Sequence, residues 1–189
     1  MIINTRSRLI DNATALVRRR GYAAFSYADL ATAVGIRKPS IHHHFPAKED
    51  LGVALVSAYA EAFSAQLSQI DIDFADPFDR IAAYAALYRE GLPTKQGCLC
   101  GVLAAELEAL PPRVQFAVKQ FFVLNLIWLK RTLNGAEGRL RPELTPDTAA
   151  RTVLATLQGA MLMALALGDP AAFDQAIKGL IEGLSLSAA

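Results

Sequence analysis

Apolar residues in this chain recur at the three- and four-residue spacing of helices almost from end to end. Leu9, Ala13, Leu16 and Val17 fall on one face of a predicted helix over residues 4–20. Leu30, Ala31 and Val34 share a face of a second, short helix, and Ile41 and Phe45, four apart, share a face of a third. A longer helix is predicted over 48–69, then a break from Asp71 to Pro77, then helices at about 77–91, 98–110, 112–133, 146–167 and 170–186. Pro93, Pro111, Pro112, Pro142, Pro146 and Pro170 punctuate them, and the stretch from Gly135 to Gly138 reads as a loop. No alternating strand pattern extends beyond a few residues, and there is no internal repeat or low-complexity tract. The pattern predicts an all-α protein with a three-helix head, residues 1–46, and a larger helical body, residues 47–189.

The residues between Ser26 and Leu51 give the head its chemistry. Ser26 is a good N-cap, and Asp29, three residues on, makes an acidic form of the capping box. Gly35 suits the left-handed position that ends such a helix, and Pro39 suits the first turn of the next. With Ile41 and Phe45 turned inward, Lys38, Ser40, His42 and His43 are left on the outward face. Two helices joined by a tight Gly-containing turn, the second bearing cationic and hydrogen-bonding side chains, form a helix-turn-helix of the kind that docks in a DNA major groove.

Gly21, Tyr22, Phe25, Ser26, Asp29, Leu30, Ala31, Val34, Gly35, Ile36, Lys38, Ser40, Ile41, His44, Phe45, Lys48, Glu49 and Leu51 form one ordered pattern. Over residues 4–55 this pattern resembles the TetR family of bacterial transcriptional regulators. The resemblance implies double-stranded operator DNA as partner, with Lys38, Ser40, His42 and His43 facing the major groove. It places Ser26, Tyr27, Arg37 and Lys48 at phosphates, Lys48 aided by the N-terminus of its helix. One departure stands out: the family usually has Tyr where this chain has His42. An imidazole still donates to a phosphate or base edge, so the departure bears on operator preference rather than on DNA binding.

Charge changes the picture only when it is read by region. The 189 residues carry a formal net charge of +1, which is poor for a DNA binder. Residues 1–50, however, hold eight Lys/Arg against four Asp/Glu, a net of +4, and the remainder holds 11 against 14, a net of −3. A basic N-terminal third on a mildly acidic body is the footprint of a small DNA-reading module. Taken alone, Arg18-Arg19-Arg20 is a solvated helix end that suits the dipole. The first 20 residues are charged and amphipathic, unlike a secretion signal. The longest uncharged stretch, Thr152 to Gly168, is 17 residues, short of a bilayer span, so no membrane partner is expected. Two cysteines without an export signal point to the cytoplasm rather than to a disulfide scaffold.

In the body, Val153, Leu154, Leu157, Ala160, Met161, Ala164 and Leu165 make a broad apolar stripe, and Phe173, Ala176, Ile177, Leu180, Ile181 and Leu184 make another. The family resemblance implies that the last two helices, within residues 146–186, pair across a two-fold axis into a homodimer. A small-molecule inducer is the expected ligand. Candidate lining residues are Tyr84, Leu87, Tyr88, Leu103, Glu106, Leu107, Phe121, Phe122, Asn125, Trp128, Leu129 and Met161. Glu106 and Asn125 interrupt apolar helices; they orient a ligand, or they hydrogen-bond to each other or to backbone. The segment Gly97-Cys98-Leu99-Cys100-Gly101 is similar to a subset of the family in which the body helix begins at that Cys98 position. Some members of that subset respond to electrophiles or oxidants there, and a helix N-terminus would favour the thiolate. The alternative is a small buried apolar residue.

Other chemistry is poorly supported. Cys-x-Cys without a second pair is not a zinc signature, and His42, His43 and His44 diverge by about 100° each along a helix, so they cannot share one ion. No metal, cofactor or catalytic residue is expected: the chain has no Gly-rich phosphate loop, nucleophile elbow or metal-ligand motif. The expected function is therefore a repressor released from a palindromic operator by a small-molecule inducer. The rivals are a repressor sensing electrophiles through Cys98 and a helical binding module without DNA function. Against the latter stand Arg37, Lys38 and Lys48 around the Ser40–His43 surface, which a degenerate head has no reason to keep.

Overall fold

The computed structural model describes residues 5–136 and 138–186. Among them the chain forms α1 (Thr5–Arg20), α2 (Tyr27–Val34), α3 (Lys38–His44), α4 (Lys48–Asp73), α5 (Pro77–Arg89), α6 (Leu99–Ala105), a 3-10 turn (Leu107–Ala109), α7 (Pro112–Asn134), α8 (Pro146–Leu167) and α9 (Pro170–Leu184). There is no strand among the described residues, only an isolated bridge between Leu140 and Ser185. The fold is all-α, as the hydrophobic spacing predicts.

The helix boundaries follow the local chemistry. Ser26 caps α2 reciprocally with Asp29, and Gly35 ends it at φ 73°. Prolines open α3, α5, α8 and α9 in the first turn, where the missing N–H leaves no gap. Several predicted boundaries move, α9 among them, which ends at Leu184 rather than 186. The expected break from Asp71 to Pro77 begins only after Asp73, where α4 ends. Carboxylates at a helix C-terminus oppose the dipole, but here they have partners: Gln69 donates to Asp73 at 2.7 Å, and Asp71 accepts from the Trp128 indole at 3.2 Å and from Arg131. The predicted helix over 98–110 stops at Ala105, with Cys98 as its N-cap, because Leu110 precedes Pro111 and is extended at φ −85°, ψ 143°. The helix expected over 77–91 ends at Arg89, and the turn that follows holds Lys95 at φ 54°. The predicted Gly135–Gly138 loop is seen on either side of residue 137, which lies outside the described residues.

Two compact units emerge: residues through Ala62 together with Cys98–Phe121, and Phe63–Gly97 together with the residues from Phe122 onward. In the first, α1 packs against α2 and α6. Leu9, Ala13, Val17, Leu30, Ile41, Phe45, Leu51, Leu55, Leu99 and Leu103 are buried. In the second, α8 and α9 pack on each other and both pack on α5. Here the apolar stripe of α8 has been spent within the chain: Val153, Leu154, Leu157, Ala160, Met161 and Ala164 are all buried. The uncovered apolar surface of α8 lies on its other face, where Leu162, Met163 and Leu167 are 70%, 59% and 67% exposed. By length and composition alone α8 could cross a membrane, but 39% of its most apolar window is buried inside the fold.

Leu157 is 0% exposed within one chain. Leu157→Asp is therefore expected to abolish the cooperative thermal transition seen by circular dichroism, because an unpaired buried carboxylate costs several kcal/mol. An unchanged melt would contradict this placement.

Candidate nucleic-acid interface

The outward face of α3 is available because its inward face is fixed. Ile41 and Phe45 are 0% and 2% exposed, and Arg37, Lys38, Ser40, His42 and His43 around them are all exposed. From α1, Arg8 donates to the Val34 carbonyl at 2.9 Å at the end of α2, and the Arg6 guanidinium lies 5.1 Å from the Phe45 ring centre.

Each predicted DNA contact can be placed. Ser26 spends its hydroxyl on Asp29, donating at 2.6 Å and accepting from the Asp29 N–H at 3.3 Å. The Tyr27 hydroxyl donates to the carbonyls of Phe45 and Ala47, at 2.9 and 2.8 Å, so it ties the start of α2 to the loop after α3. Burial, followed by the nearby Asp50 charge, pushes its phenol up to about 12, so it remains a donor. His42 stacks edge-on to Tyr27 at 4.9 Å, with Nδ1 3.2 Å from the Pro46 carbonyl. A carbonyl can only accept, so that bond places a proton on Nδ1. Arg37, Lys38, Ser40 and His43 remain the outward polar set of α3. Lys48 is half-buried, its ammonium donating 2.7 Å to the Tyr22 carbonyl and lying 4.6 and 4.5 Å from the Tyr22 and Phe25 ring centres.

The candidate ligand residues do not fall in one place. In the first unit, Leu103 and Phe121 are buried core. Cys98 is buried and accepts from the Tyr59 hydroxyl at 3.7 Å, and burial pushes the neighbouring Cys100 thiol well above its ordinary value. Glu106, half-buried, accepts from the backbone N–H of Ala23 at 2.9 Å. Leu107 lies 44% exposed on the 3-10 turn. In the second unit, the Tyr84 hydroxyl donates to Asn125 Oδ1 at 2.8 Å and lies 3.1 Å from the Tyr88 hydroxyl. Trp128 stacks on Tyr84 at 5.3 Å, and Phe63 meets both tyrosines edge-on at 5.9 Å. Tyr84, Tyr88, Asn125, Trp128, Leu129 and Met161 are buried, and Leu87 and Phe122 are half-buried. A cleft of about 580 Å³ lies elsewhere, beside α1, α3 and α4, lined by Arg6, His44, Phe45, Asp50, Glu61 and Arg113 among others. Among the described residues no group of three His, Cys, Asp or Glu is placed to hold a metal ion.

Sequence reasoning missed two long-range contacts around the head: Arg113, at the start of α7, donates to Asp50 on α4 at 2.8 Å, and Glu106 reaches the turn after α1. No local pattern signals either, since the partners are 63 and 83 residues apart.

A capped helix, a tight turn and a short helix with an anchored inner face and a polar outer face define a helix-turn-helix DNA-binding regulator. Comparison with known proteins agrees. The family model for bacterial regulatory proteins of the tetR family matches residues 9–55, and a tetracyclin repressor-like C-terminal domain matches residues 77–180. The transcriptional regulator AcuR of Cereibacter sphaeroides is 30% identical over 154 residues, covering 77% of this chain and 69% of that protein. The HTH-type transcriptional repressor DhaR of a Mycobacterium species is 28% identical over 185 residues, covering 95% and 91%. The crystal structure of a TetR-family regulator from Agrobacterium tumefaciens superimposes with a TM-score of 0.90 at 36% identity, covering 96% of this chain and 97% of that one. The chain belongs to the TetR family and is a DNA-binding transcriptional regulator.

The capping box offers a check on the head. The Ser26 hydroxyl and then its backbone N–H hold the Asp29 carboxyl below its ordinary value of 3.8. A lowered folded-state value contributes stability above the ordinary carboxylate range, and that contribution is lost as pH falls through the folded value. Ser26→Ala is expected to lower the melting temperature by a few degrees at neutral pH, with the gap from the parent narrowing toward about pH 3. A gap independent of pH would contradict the reciprocal cap.

Proposed function

We propose that this regulator is a cytoplasmic, non-enzymatic repressor that binds a palindromic operator as a homodimer and is released by a mostly apolar small molecule. Residues 1–46 serve as the DNA-binding domain and residues 47–189 as the ligand-binding and dimerisation domain. The observation that carries the reading is α3, anchored by Ile41 and Phe45 with Lys38, Ser40, His42 and His43 outward. These four take base edges; Ser26, Tyr27, Arg37 and Lys48 take phosphates. The relative DhaR is itself a repressor by name.

Dimerisation through residues 146–186 is supported by the exposed side of α8. Leu162, Met163 and Leu167 share it with Gly159, above which there is open space. Two heads must present their α3 helices about 34–36 Å apart to enter successive major grooves. A ligand that favours another spacing by a few kcal/mol releases the DNA. Tyr84, Tyr88, Phe122, Asn125, Trp128 and Met161, all in the second unit, supply the apolar, hydrogen-bonding setting such a ligand needs. The buried state of both cysteines favours the reversible ligand over covalent sensing at Cys98.

Three measurements test this. From a random pool of duplexes the protein should select an inverted repeat, with binding that weakens steeply as salt rises; recovery of no enriched sequence would overturn it. Lys48→Ala should weaken binding to every duplex and flatten the salt slope by about one unit. An unchanged slope would remove Lys48 from the phosphate contacts. Leu162→Asp should leave the fold intact and halve the mass seen by light scattering, because the side chain is exposed in one chain. A variant still dimeric at micromolar concentration would place the interface elsewhere.

A further inference from the structure

Residues 21–23, the turn that joins α1 to α2, are held by two charged side chains from other segments. Gly21 sits at φ +84°, a conformation that side chains rarely adopt. Glu106 occupies the space above it: a Cβ on Gly21 would stand 1.7 Å from Glu106 Oε1 and 2.8 Å from its carboxyl carbon. The positive φ favours glycine here, and the missing side chain leaves room for the approach of the carboxylate. The other oxygen of Glu106 accepts from the Ala23 N–H at 2.9 Å. Between these residues, the Tyr22 carbonyl accepts from the Lys48 ammonium at 2.7 Å, and the Tyr22 hydroxyl donates to the Lys48 carbonyl at 3.0 Å. Burial pulls the Lys48 ammonium below its ordinary value, and the charge of Glu106 is the largest influence acting the other way.

The consequence reaches the recognition surface in a few residues. Phe25 follows the turn and is 1% exposed; Ser26 caps α2; α2 packs on α3. The direction in which the chain leaves the turn therefore sets the direction of both helices. Glu106 itself lies just beyond α6, far outside the residues 9–55 that match the family's DNA-binding portion.

We propose that Glu106 is a positioning residue for operator binding: its carboxylate clasps the turn at Gly21 and Ala23 and so fixes α2 and α3 relative to α6. The inference rests on the DNA-binding reading, whose own failure shows in the parent protein, while failure of the clasp shows only in the variants.

The test uses the full-length protein and a duplex that the parent selects from a random pool. Binding is measured across a salt titration for the parent, Glu106→Ala and Glu106→Gln, below the melting transition of each. Glu106→Ala is expected to bind about ten-fold more weakly, through loss of one charge-assisted hydrogen bond, with the salt slope unchanged because no phosphate contact is lost. Glu106→Gln, which keeps an acceptor for the Ala23 N–H, should recover affinity to within about two-fold. Parental affinity in Glu106→Ala would overturn the proposal. So would a flattened salt slope, which would assign the effect to a phosphate contact. If Glu106→Ala does not fold, Glu106→Gln decides alone: near-parental binding with the Ala23 amide still protected from hydrogen exchange supports the clasp, and an unprotected amide with parental binding overturns it.

Discussion

A seven-residue helix cannot hold itself together in water, and α3 is seven residues long. Its existence depends on burying Ile41 and Phe45 against the head. Everything a DNA reader needs from this protein follows from that anchor. With the inner face committed, the remaining side chains of α3 have nowhere to go but outward. The Tyr27 hydroxyl, bonded to two carbonyls beyond α3, and the Arg8 guanidinium on the end of α2 then fix the angle at which that face is presented. Polar groups that look available in the sequence are partly consumed by this work. Ser26, Tyr27 and Lys48 each hold backbone or a cap before they meet any phosphate.

The second unit obeys a different constraint. One set of its hydrogen-bonding side chains is buried with the aromatic residues. Tyr84, Tyr88 and Asn125 satisfy one another in a setting where an unmet donor or acceptor costs about 1–3 kcal/mol. Apolar surface in this unit is also divided by purpose. One side of α8 is consumed by the packing of α8 on α9 and α5, and the other keeps Leu162, Met163 and Leu167 in solvent.

The sequence was most readable where the determinants are local. The capping box at Ser26 and Asp29, the left-handed Gly35, the Pro39 start and the inward pair Ile41 and Phe45 act within a few residues of one another, and all appear as expected. It was least readable where distant groups override local preference. Asp71 and Asp73 look like the end of a helix, yet α4 includes both because Trp128, Arg131 and Gln69 supply partners. Glu106 reads in the sequence as a ligand contact or a backbone partner, and only the fold shows which backbone its carboxylate meets, that of Ala23, 83 residues earlier. The apolar stripe of α8 lies in the chain's own interior, because spacing reveals that a face is apolar but not what covers it.

The central claim is that α3 reads bases while its neighbours hold the backbone. The most direct measurement repeats the random-pool selection with Lys38→Ala and, separately, with Arg37→Ala. If α3 reads the groove, Lys38→Ala changes the enriched sequence at a single base pair in each half-site, by about 1–3 kcal/mol of discrimination. Arg37→Ala keeps the parental sequence and weakens binding to all duplexes alike. An identical enriched sequence from the parent and from Lys38→Ala, at equal affinity, would contradict the account.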